Sequence, residues 1–571
     1  MIDFKTLIAG AIYDEALGLT QDEIINMLEI PADETKGDFA FPCFRLAKTM
    51  RKAPQMIAAE IAERVSGKEF LEKVEQVNAY VNFFIKRSYF AGELISEINE
   101  EGENYGRSNV GDGKTVIVEY SSPNIAKPFH IGHIRSTVIG NSIYKLYDAI
   151  GYDVVRINHL GDYGTQFGKM IVAYRKWGNE DELKANPIKS LLSYYTKFHV
   201  EVEEHPELDD EARETFARLE AGEPEELALW EKFREYSLAE FNRVYGMLGI
   251  DFDSYAGESF YSDKMPAVVD ELREKKLLVE SQGAQIVDLE PYGMTPAVIL
   301  KSDGSSLYAT RDIAAAIYRK QHYDFYKNIY VVASQQNLHF KQWKKVLELM
   351  GYEWQEDCVH VPFGLVSLEE GTMSTRHGRV VFLEDVLNNA VEKTREIMLE
   401  KNPDTPELDE IAKEVGIGAV IFQELSNNRI KDYVFSWDKV LNFDGETGPY
   451  VQYTNARASS VLRNASEEDI EAIKAGKCDY SYLESDSAYS LIKLLYRVPE
   501  VIRDAAAKYE PSILTRHLVD IAQSFNKFYH DEHILVDNVE EKRAKLSLVL
   551  ASKVVITNCL GLLGIKAPER M

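Results

Sequence analysis

The chain has 571 residues, a length that suggests roughly three or four domains, and its 45% hydrophobic and 28% charged residues are typical of a globular protein. With only 18 prolines and 34 glycines, it is neither collagen-like nor broadly disordered. A net charge of −28, taken alone, argues against nucleic-acid binding, because phosphate contacts need Lys and Arg. Residues 441–571, with 16 basic and 19 acidic side chains, carry a net charge of only −3, so a local basic surface is compatible with this part.

The N-terminal segment and the cysteines predict a protein of a reducing compartment. The first residues carry acids within their apolar stretch and lack a basic flank, unlike a signal peptide. The most apolar run, Leu546–Ile565, is interrupted by polar residues, so we expect a packed helix there and no membrane partner. The cysteines form no C-x-x-C pair, which argues against both a disulfide framework and a zinc site. They are Cys43, Cys358, Cys478 and Cys559. We therefore expect a cytoplasmic location.

The first part of the chain has the pattern of a small α+β domain. It predicts an amphipathic helix near residues 2–13, a turn at Lys36–Asp38 and an alternating strand at Tyr80–Ile85. Residues 99–113 are rich in Glu, Asn and Gly, which is typical of a linker.

The next part predicts a β-loop-α-β unit, the start of a doubly wound parallel sheet. Val116–Tyr120 is a mostly apolar run suited to a buried strand. A helix follows with apolar residues at helical spacing from Ile134 to Ile150, and Gly151 predicts its end. Val154–Ile157 is the next strand, and a later strand at 329–332 fits the same sheet.

These patterns predict a multidomain α/β plus α fold. Residues 180–250 are helical in pattern and strongly acidic, as expected of a solvated surface insertion, and the chain after about 445 is helical throughout. The expected domains are a small α+β domain over 1–105, a Rossmann-like domain over 106–365 with a helical insertion at about 180–290, a connecting region over 366–444 and an all-α bundle over 445–571.

The strongest chemical signal is the string Pro128-Phe129-His130-Ile131-Gly132-His133, at the start of the first sheet helix. Two histidines three residues apart at a helix start face the same side, and the free N–H groups of that helix end favour phosphate. Gly132 leaves room for an adenine or ribose, while the imidazoles can donate hydrogen bonds to an α-phosphate under attack. The alternative is that both histidines cap the helix or belong to the core.

The last four residues of this string, His130-Ile131-Gly132-His133, are identical to the HIGH box of class I aminoacyl-tRNA synthetases, and further strings resemble the arginyl-tRNA synthetases in particular. They are Gly37–Ala40, Glu119–Lys127, Asn158–Gly168, Tyr308–Asp312, Gln336–Phe340 and Gly448–Tyr453. Together they cover essentially the whole chain in order. The resemblance implies an enzyme that activates L-arginine with ATP and esterifies it onto tRNA(Arg), with a tRNA-binding first domain and an anticodon-binding last domain.

The second class I signature, a K-M-S-K-like loop that holds the β- and γ-phosphates, departs from its pattern. Met373 and Ser374 match, but Thr372 stands where the first lysine belongs. Many arginyl-tRNA synthetases resemble the chain in this, which implies that Lys127 takes over with help from Arg376. The alternative for Lys127 is an ordinary surface lysine. The expected catalytic residues are His130, His133, Lys127, Ser374 and Arg376, and the ATP-binding residues are His130, Gly132, His133, Lys127, Met373 and Ser374.

A site for arginine needs acids, because the guanidinium presents a planar fork of donors to carboxylates. The contacts that the resemblance implies are Glu119, Asn124, His130, Tyr308, Asp312 and Gln336. Tyr308 and Asp312 lie four apart in a helix-like stretch and share a face. Glu119 ends a buried strand, where a carboxylate needs a cationic partner. The alternative for Asp312 is a partner for Arg311 or Arg319, or a helix cap.

The resemblance also implies contacts with tRNA. The expected tRNA-binding residues are Asn82, Tyr450 and Tyr453. Aromatic residues of the last domain can stack on anticodon bases, although such residues are as often bundle core; the further candidates are Phe525, Phe528 and Tyr529. Asp162, Gly164 and Gln166 follow a sheet strand and are expected near the nucleotide or the tRNA end. ATP implies Mg²⁺ as its complex, and we expect no zinc and a monomer.

Two other functions remain compatible with the residues. One is a different HIGH-box nucleotidyltransferase, or a class I synthetase for another amino acid, against which the set of Glu119, Tyr308 and Asp312 argues. The other is an inactive paralogue that binds tRNA or senses arginine, and only Thr372 favours it.

Overall fold

The structure is a computed structural model that describes residues 4–31, 33–302, 308–368, 381–401, 406–443 and 445–571. Its contacts divide the chain into two compact units. The first comprises residues 1–105, 454–498 and 520–558, and the second comprises 106–453, 499–519 and 559–571.

The N-terminal part of the first unit is an α+β fold, as predicted. Its strands are β1 (Phe39–Pro42), β2 (Leu71–Val77) and β3 (Tyr80–Ile85), and its helices are α1 (Phe4–Ile12), α2 (Gln21–Met27), α3 (Leu46–Met50), α4 (Pro54–Val65) and α5 (Arg87–Glu101). The strands form an antiparallel sheet in the order β1-β3-β2. The predicted strand and first helix are confirmed as β3 and α1. The predicted linker is wrong at its start, because α5 continues to Glu101, with buried Ile98 fixing its last turn.

The predicted turn at Lys36–Asp38 is confirmed; it lies directly before β1, against the end of β3. Gly37 has a φ of 97°, and a Cβ there would lie 2.7 Å from the carbonyl oxygen of Phe83. The carboxylate of Asp38 accepts a hydrogen bond from the N–H of Ile85 at 2.9 Å. The glycine therefore permits a close approach of two backbones, which the aspartate secures.

The second unit is built on a parallel sheet. The strands in this part of the chain are β4 (Thr115–Glu119), β5 (Asp153–Ile157), β6 (Leu278–Ser281), β7 (Ala284–Val287), β8 (Ala297–Leu300), β9 (Lys327–Ala333), β10 (Cys358–Phe363), β11 (Val366–Leu368) and β12 (Tyr433–Phe435). The helices are α6 (Ile134–Ala149), α7 (Thr165–Trp177), α8 (Glu180–Ala185), α9 (Pro187–Glu204), α10 (Glu207–Glu220), α11 (Pro224–Leu248), α12 (Met265–Glu274), α13 (Tyr308–Tyr323), α14 (Asn337–Leu349), α15 (Leu383–Lys401), α16 (Leu408–Ser426) and α17 (Trp437–Val440).

The main sheet has the parallel order β10-β9-β4-β5. On one face α6 packs closely, because Gly140 has no Cβ; one added there would lie 2.2 Å from the Cβ of Tyr120. On the other face, Ile117 and Tyr330 belong to a buried cluster with residues of α12, α13 and α14. Helices therefore cover both faces, and the predicted doubly wound sheet and its first helix are confirmed. The acidic 180–250 stretch is helical over α8–α11, as predicted.

The last part of the chain is helical, as predicted. Its helices are α18 (Gly448–Arg463), α19 (Glu467–Lys474), α20 (Asp486–Tyr496), α21 (Val498–Ala507), α22 (Ser512–Asp531) and α23 (Val539–Leu562). Within the described ranges, α23 alone meets the length and composition of a membrane span, with a mean hydropathy of 1.5. Its apolar window is 61% buried inside the fold, which agrees with the predicted packed helix.

Candidate active site

The site lies where the order of the main sheet reverses. From β4 the chain passes through α6 to β5 on one side, whereas β9 pairs with β4 on the other side. Such a switch point leaves a crevice at the carboxyl ends of the strands. The loop after β4 leads to His130, and the turn after β9 ends at Gln336, so both predicted strings lie at this edge.

The loop between β4 and the histidines has an unusual backbone. Ser121, Ser122 and Ala126 have φ values of 69°, 50° and 59°, which cost roughly 1 kcal/mol or more each for residues with a Cβ. Buried hydrogen bonds fix this conformation. The Ser136 hydroxyl accepts from the N–H of Ser121 at 2.9 Å, and the Ser237 hydroxyl accepts from the N–H of Ala126 at 2.8 Å. The loop is therefore held in one shape by the helices around it.

The two histidines face the same side, as predicted, with ring centroids 4.0 Å apart. The N–H of His130 donates to Nδ1 of His133, and the N–H of Gly132 donates to Nδ1 of His130, each at 3.1 Å. Because a backbone N–H can only donate, both Nδ1 atoms must be unprotonated, and each neutral ring carries its hydrogen on Nε2. Both histidines therefore cap the start of the helix, as the alternative interpretation expects, but each does so through its Nδ1 atom only. In each ring Nε2 then carries the one N–H group.

The surroundings keep both imidazoles neutral. Burial, helped by the charge of Lys127, lowers the pKa of His130 to about 4. Burial and the neighbouring His130 hold the pKa of His133 well below its ordinary value. At neutral pH the pair therefore offers two uncharged N–H donors.

Lys127 is partly exposed on the same loop, with its Nζ 5.7 Å from the ring centroid of Tyr195. The residues predicted to complete the phosphate site lie outside the described residues; they are Thr372, Met373, Ser374 and Arg376.

Glu119 has the cationic partner that its burial requires. Its Oε2 lies 2.6 Å from Nη1 of Arg319, and both side chains are almost fully buried. Nη2 of Arg319 is also 3.3 Å from Nδ1 of His159. The carboxylate of Glu119, at the end of β4, is thus already paired with Arg319 within the protein.

Asp312 is paired with a residue that the sequence did not suggest. Its Oδ2 lies 2.5 Å from Nε2 of His339, at the start of α14. The expected alternative partners are wrong for this acid, because Arg311 pairs with Glu258 and Arg319 with Glu119. Tyr308, which begins the same helix α13, is 59% exposed.

Glu258 is a candidate that we did not predict. Its Oε2 lies 2.9 Å from Nη1 of Arg311. Burial, with the nearby charges of Asp312 and Asp162 and against the charge of Arg311, raises its pKa to about 7. Asp162 is itself 1% exposed and accepts from both the N–H and the hydroxyl of Ser259, so it fixes the segment that carries Glu258. No motif marks Glu258; only its approach to Asp312 in the fold does.

The remaining predicted residues differ in exposure. Asn124 and Gln336 are exposed at the carboxyl edge of the sheet, and Asn124 forms a parallel bridge with Gly161. In the N-terminal sheet, Asn82 is only 3% exposed.

The predicted aromatic residues of the last part also differ. In α18, Tyr450 is partly exposed and Tyr453 is 41% exposed. In α22, Phe525 and Phe528 are core residues, whereas Tyr529 is exposed.

Comparison with known proteins gives one family along the chain. A family model described as "tRNA synthetases class I (R), catalytic domain" matches residues 95–437. Models described as "Arginyl tRNA synthetase N terminal domain" and "DALR anticodon binding domain" match residues 3–85 and 451–571. The arginine–tRNA ligases of Clostridioides difficile and Halothermothrix orenii are each 58% identical over 571 residues, covering 100% of both chains.

Solved structures agree. The arginyl-tRNA synthetase of Thermus thermophilus has a TM-score of 0.78 at 26% identity and covers 100% of this chain and 99% of that chain. The Plasmodium falciparum arginyl-tRNA synthetase has a TM-score of 0.76 at 25% identity, with coverages of 95% and 94%. The similarity extends over the full length of the chain, and the main sheet carries the HIGH histidines at its switch point. The chain therefore belongs to the class I arginyl-tRNA synthetases, which ligate arginine to tRNA.

Proposed function

We propose that the chain forms arginyl-adenylate at the carboxyl edge of the main sheet, with His130 and His133 as neutral donors. ATP enters as its Mg²⁺ complex, and the arginine carboxylate attacks the α-phosphate in line while pyrophosphate leaves. The Nε2–H groups of the two imidazoles donate to the phosphate oxygens on which charge develops. The observation that carries this proposal is the pair of Nδ1 hydrogen bonds, which leaves both Nε2–H groups for the substrate.

Lys127 then supplies the charge that Thr372 lacks. A cationic side chain three residues before His130 can reach the β- and γ-phosphates of the same nucleotide. Gly132 allows the nucleotide to approach the backbone, and Met373, Ser374 and Arg376 complete the phosphate site.

The guanidinium of the substrate is assigned to the acids near Asp312. Asp312 lies close enough to Glu258 for its charge to raise the pKa of that residue. Two such carboxylates fit the planar fork of a guanidinium, whereas a lysine ammonium would leave acceptors unpaired. Tyr308 lines the same helix end, and Glu119 acts through its pair with Arg319. Asn124, His130 and Gln336 hold the α-amino and carboxylate groups.

Asp312→Asn tests this assignment. The arginine KM should rise about 100-fold, the equivalent of one lost charge-assisted hydrogen bond, with little change in the ATP KM. Asp324→Asn is the matched control, because Asp324 follows the same helix and its side chain is 92% exposed. An unchanged arginine KM in Asp312→Asn would remove Asp312 from the binding site.

The second step belongs to the same proposal. The 2′-hydroxyl of the terminal adenosine of tRNA(Arg) attacks the arginyl carbonyl of the adenylate, so that an ester forms and AMP leaves. Asn82, Tyr450 and Tyr453 contact the tRNA. Exposed Tyr453 supports stacking on a base more directly than nearly buried Asn82 does. We further propose that the enzyme is a cytoplasmic monomer, to which its four free cysteines are suited.

A further inference from the structure

The acids near the proposed guanidinium site each have a cationic partner within the protein. The pairs are Glu119 with Arg319 at 2.6 Å, Glu258 with Arg311 at 2.9 Å and Asp312 with His339 at 2.5 Å. An incoming guanidinium therefore meets positive charge as well as carboxylates. Two of the three partners are arginines, which cannot be deprotonated in proteins, whereas a histidine can lose its charge near neutral pH.

His339 is placed to change its charge. It lies in the first turn of α14, paired with Asp312, the fifth residue of α13, and the two side chains are 24% and 30% exposed. On β10, His360 stacks on Phe340 with ring centroids 4.0 Å apart and interacts electrostatically with His339. Burial lowers the pKa of His339, but the hydrogen bond and charge of Asp312 outweigh burial and raise it above the ordinary value.

Both oxygens of Asp312 are needed when it binds a guanidinium as a bidentate pair. His339 already occupies Oδ2, and an imidazolium there would lie within a few ångströms of the substrate cation. A neutral imidazole can remain as a donor, but a second positive charge against the same carboxylate is unfavourable.

We propose that His339 is a proton-linked specificity residue for arginine: it is protonated against Asp312 in the free enzyme and releases that proton when the substrate guanidinium binds. This inference rests on the proposed role of Asp312. A neutral analogue such as citrulline cannot replace the charge of His339 and so leaves the Asp312–His339 pair closed.

The pH dependence follows with a definite sign. Below the pKa of His339 the proton opposes arginine, so the apparent Kd should rise by up to about tenfold per pH unit as the pH falls. Glu258, whose pKa is about 7, contributes in the same direction because protonation removes a carboxylate. The two contributions must be separated by substitution.

The experiment is isothermal titration of the full chain with arginine, in buffers of different ionisation enthalpy, between pH 6 and 8. Heat that scales with buffer enthalpy counts the protons released. The variants are His339→Gln, which keeps a neutral donor, Glu258→Gln, Asp312→Asn and the control His322→Gln, an exposed histidine at the far end of α13. Wild type, Glu258→Gln and His322→Gln should release protons at pH 6–7. In His339→Gln the release should fall, and the dependence of Kd on pH should flatten.

Each outcome decides between the proposals. Unchanged proton release in His339→Gln, or an equal loss of affinity at every pH, would overturn the role of His339 while leaving Asp312 in the site. Unchanged arginine affinity in Asp312→Asn would instead overturn the proposed guanidinium contact. If His339→Gln does not fold, the absence of proton release in Glu258→Gln is sufficient to reject the inference.

Discussion

The proposed role of His130 and His133 as neutral donors should be visible in the pH profile of the enzyme. Because the pKa of His130 is lowered to about 4 and that of His133 also lies well below its usual range, the neutral forms persist throughout pH 5.5–8.5. Single-turnover adenylate formation should therefore show no inflection from these histidines in that range. His133→Asn should slow the step about 100- to 1000-fold without changing the shape of the profile. An inflection near pH 6.5 that disappears in this variant would contradict the neutral pair.

The proposed contact of Lys127 with the phosphates of ATP can be tested by removing its charge. Lys127→Ala should reduce kcat/KM for ATP about 10- to 100-fold, because one charge on the pyrophosphate is lost. Lys189→Ala is the matched control, since Lys189 is an exposed lysine of α9. Pyrophosphate exchange at varied ATP concentration measures both. Equal activities of the two variants would make Lys127 the ordinary surface lysine that the sequence also allows.

The sequence predicted His130, His133 and Asp312 as site residues, but it did not predict the ion pairs that Asp312 and Arg311 form. The histidines follow from the H-x-G-H string and its position before a helix, which is local information. The contacts of Asp312 with His339 and of Arg311 with Glu258 join segments 27 and 53 positions apart, and no local pattern encodes them. Arg311 and Arg319 were the alternative partners that the sequence offered for Asp312, because both lie near it in the chain, but the fold turns them towards Glu258 and Glu119.

Between elements, a buried ion pair fixes the helix that follows the histidines. Nε of Arg135 in α6 lies 3.5 Å from Oε2 of Glu424 in α16, and neither side chain is exposed. Nη1 of Arg135 also donates to the carbonyl oxygens of Gly364 and Lys431, each at 2.8 Å. Tyr433 donates to the other oxygen of Glu424. The start of α6 is thereby attached to the backbone that flanks β11 and β12.

Breaking this pair on one side should be costlier than removing it. Glu424→Leu leaves the guanidinium buried without its counter-charge and should destabilise the fold by about 3–5 kcal/mol. The double variant with Arg135→Leu should recover part of that loss, because no uncompensated charge remains. Urea denaturation followed by tryptophan fluorescence compares the variants. A double variant less stable than Glu424→Leu would mean that the carbonyl contacts of Arg135 outweigh the ion pair.

Elements with a clear period were predicted well. The alternation over Tyr80–Ile85 and the helical spacing from Ile134 gave β3 and α6 to within a residue, because each has one buried face. The end of α5 was missed, since Asn and Glu near a glycine are equally typical of a linker. The strain of the 121–126 loop was also not predictable, because tertiary hydrogen bonds impose it.

Over the whole molecule, the order of motifs predicted the fold class better than composition did. A net charge of −28 alone argues against a tRNA-binding protein, yet the family models match 3–85, 95–437 and 451–571 in the expected order. Charge summed over a chain conceals where the cations lie, whereas motifs report the site directly. The sequence could not predict which of the last helices belong to which of the two units, because this depends on packing between segments that are distant in the chain.

The most direct test is amino-acid-dependent ATP–pyrophosphate exchange by the full chain, with and without total tRNA, using arginine, lysine and citrulline. We expect exchange with arginine alone, appearing when tRNA is added, since the family resemblance implies that adenylate formation needs tRNA and the acids near Asp312 require a guanidinium. Comparable exchange with lysine, or none under any condition while tRNA binding is retained, would contradict it.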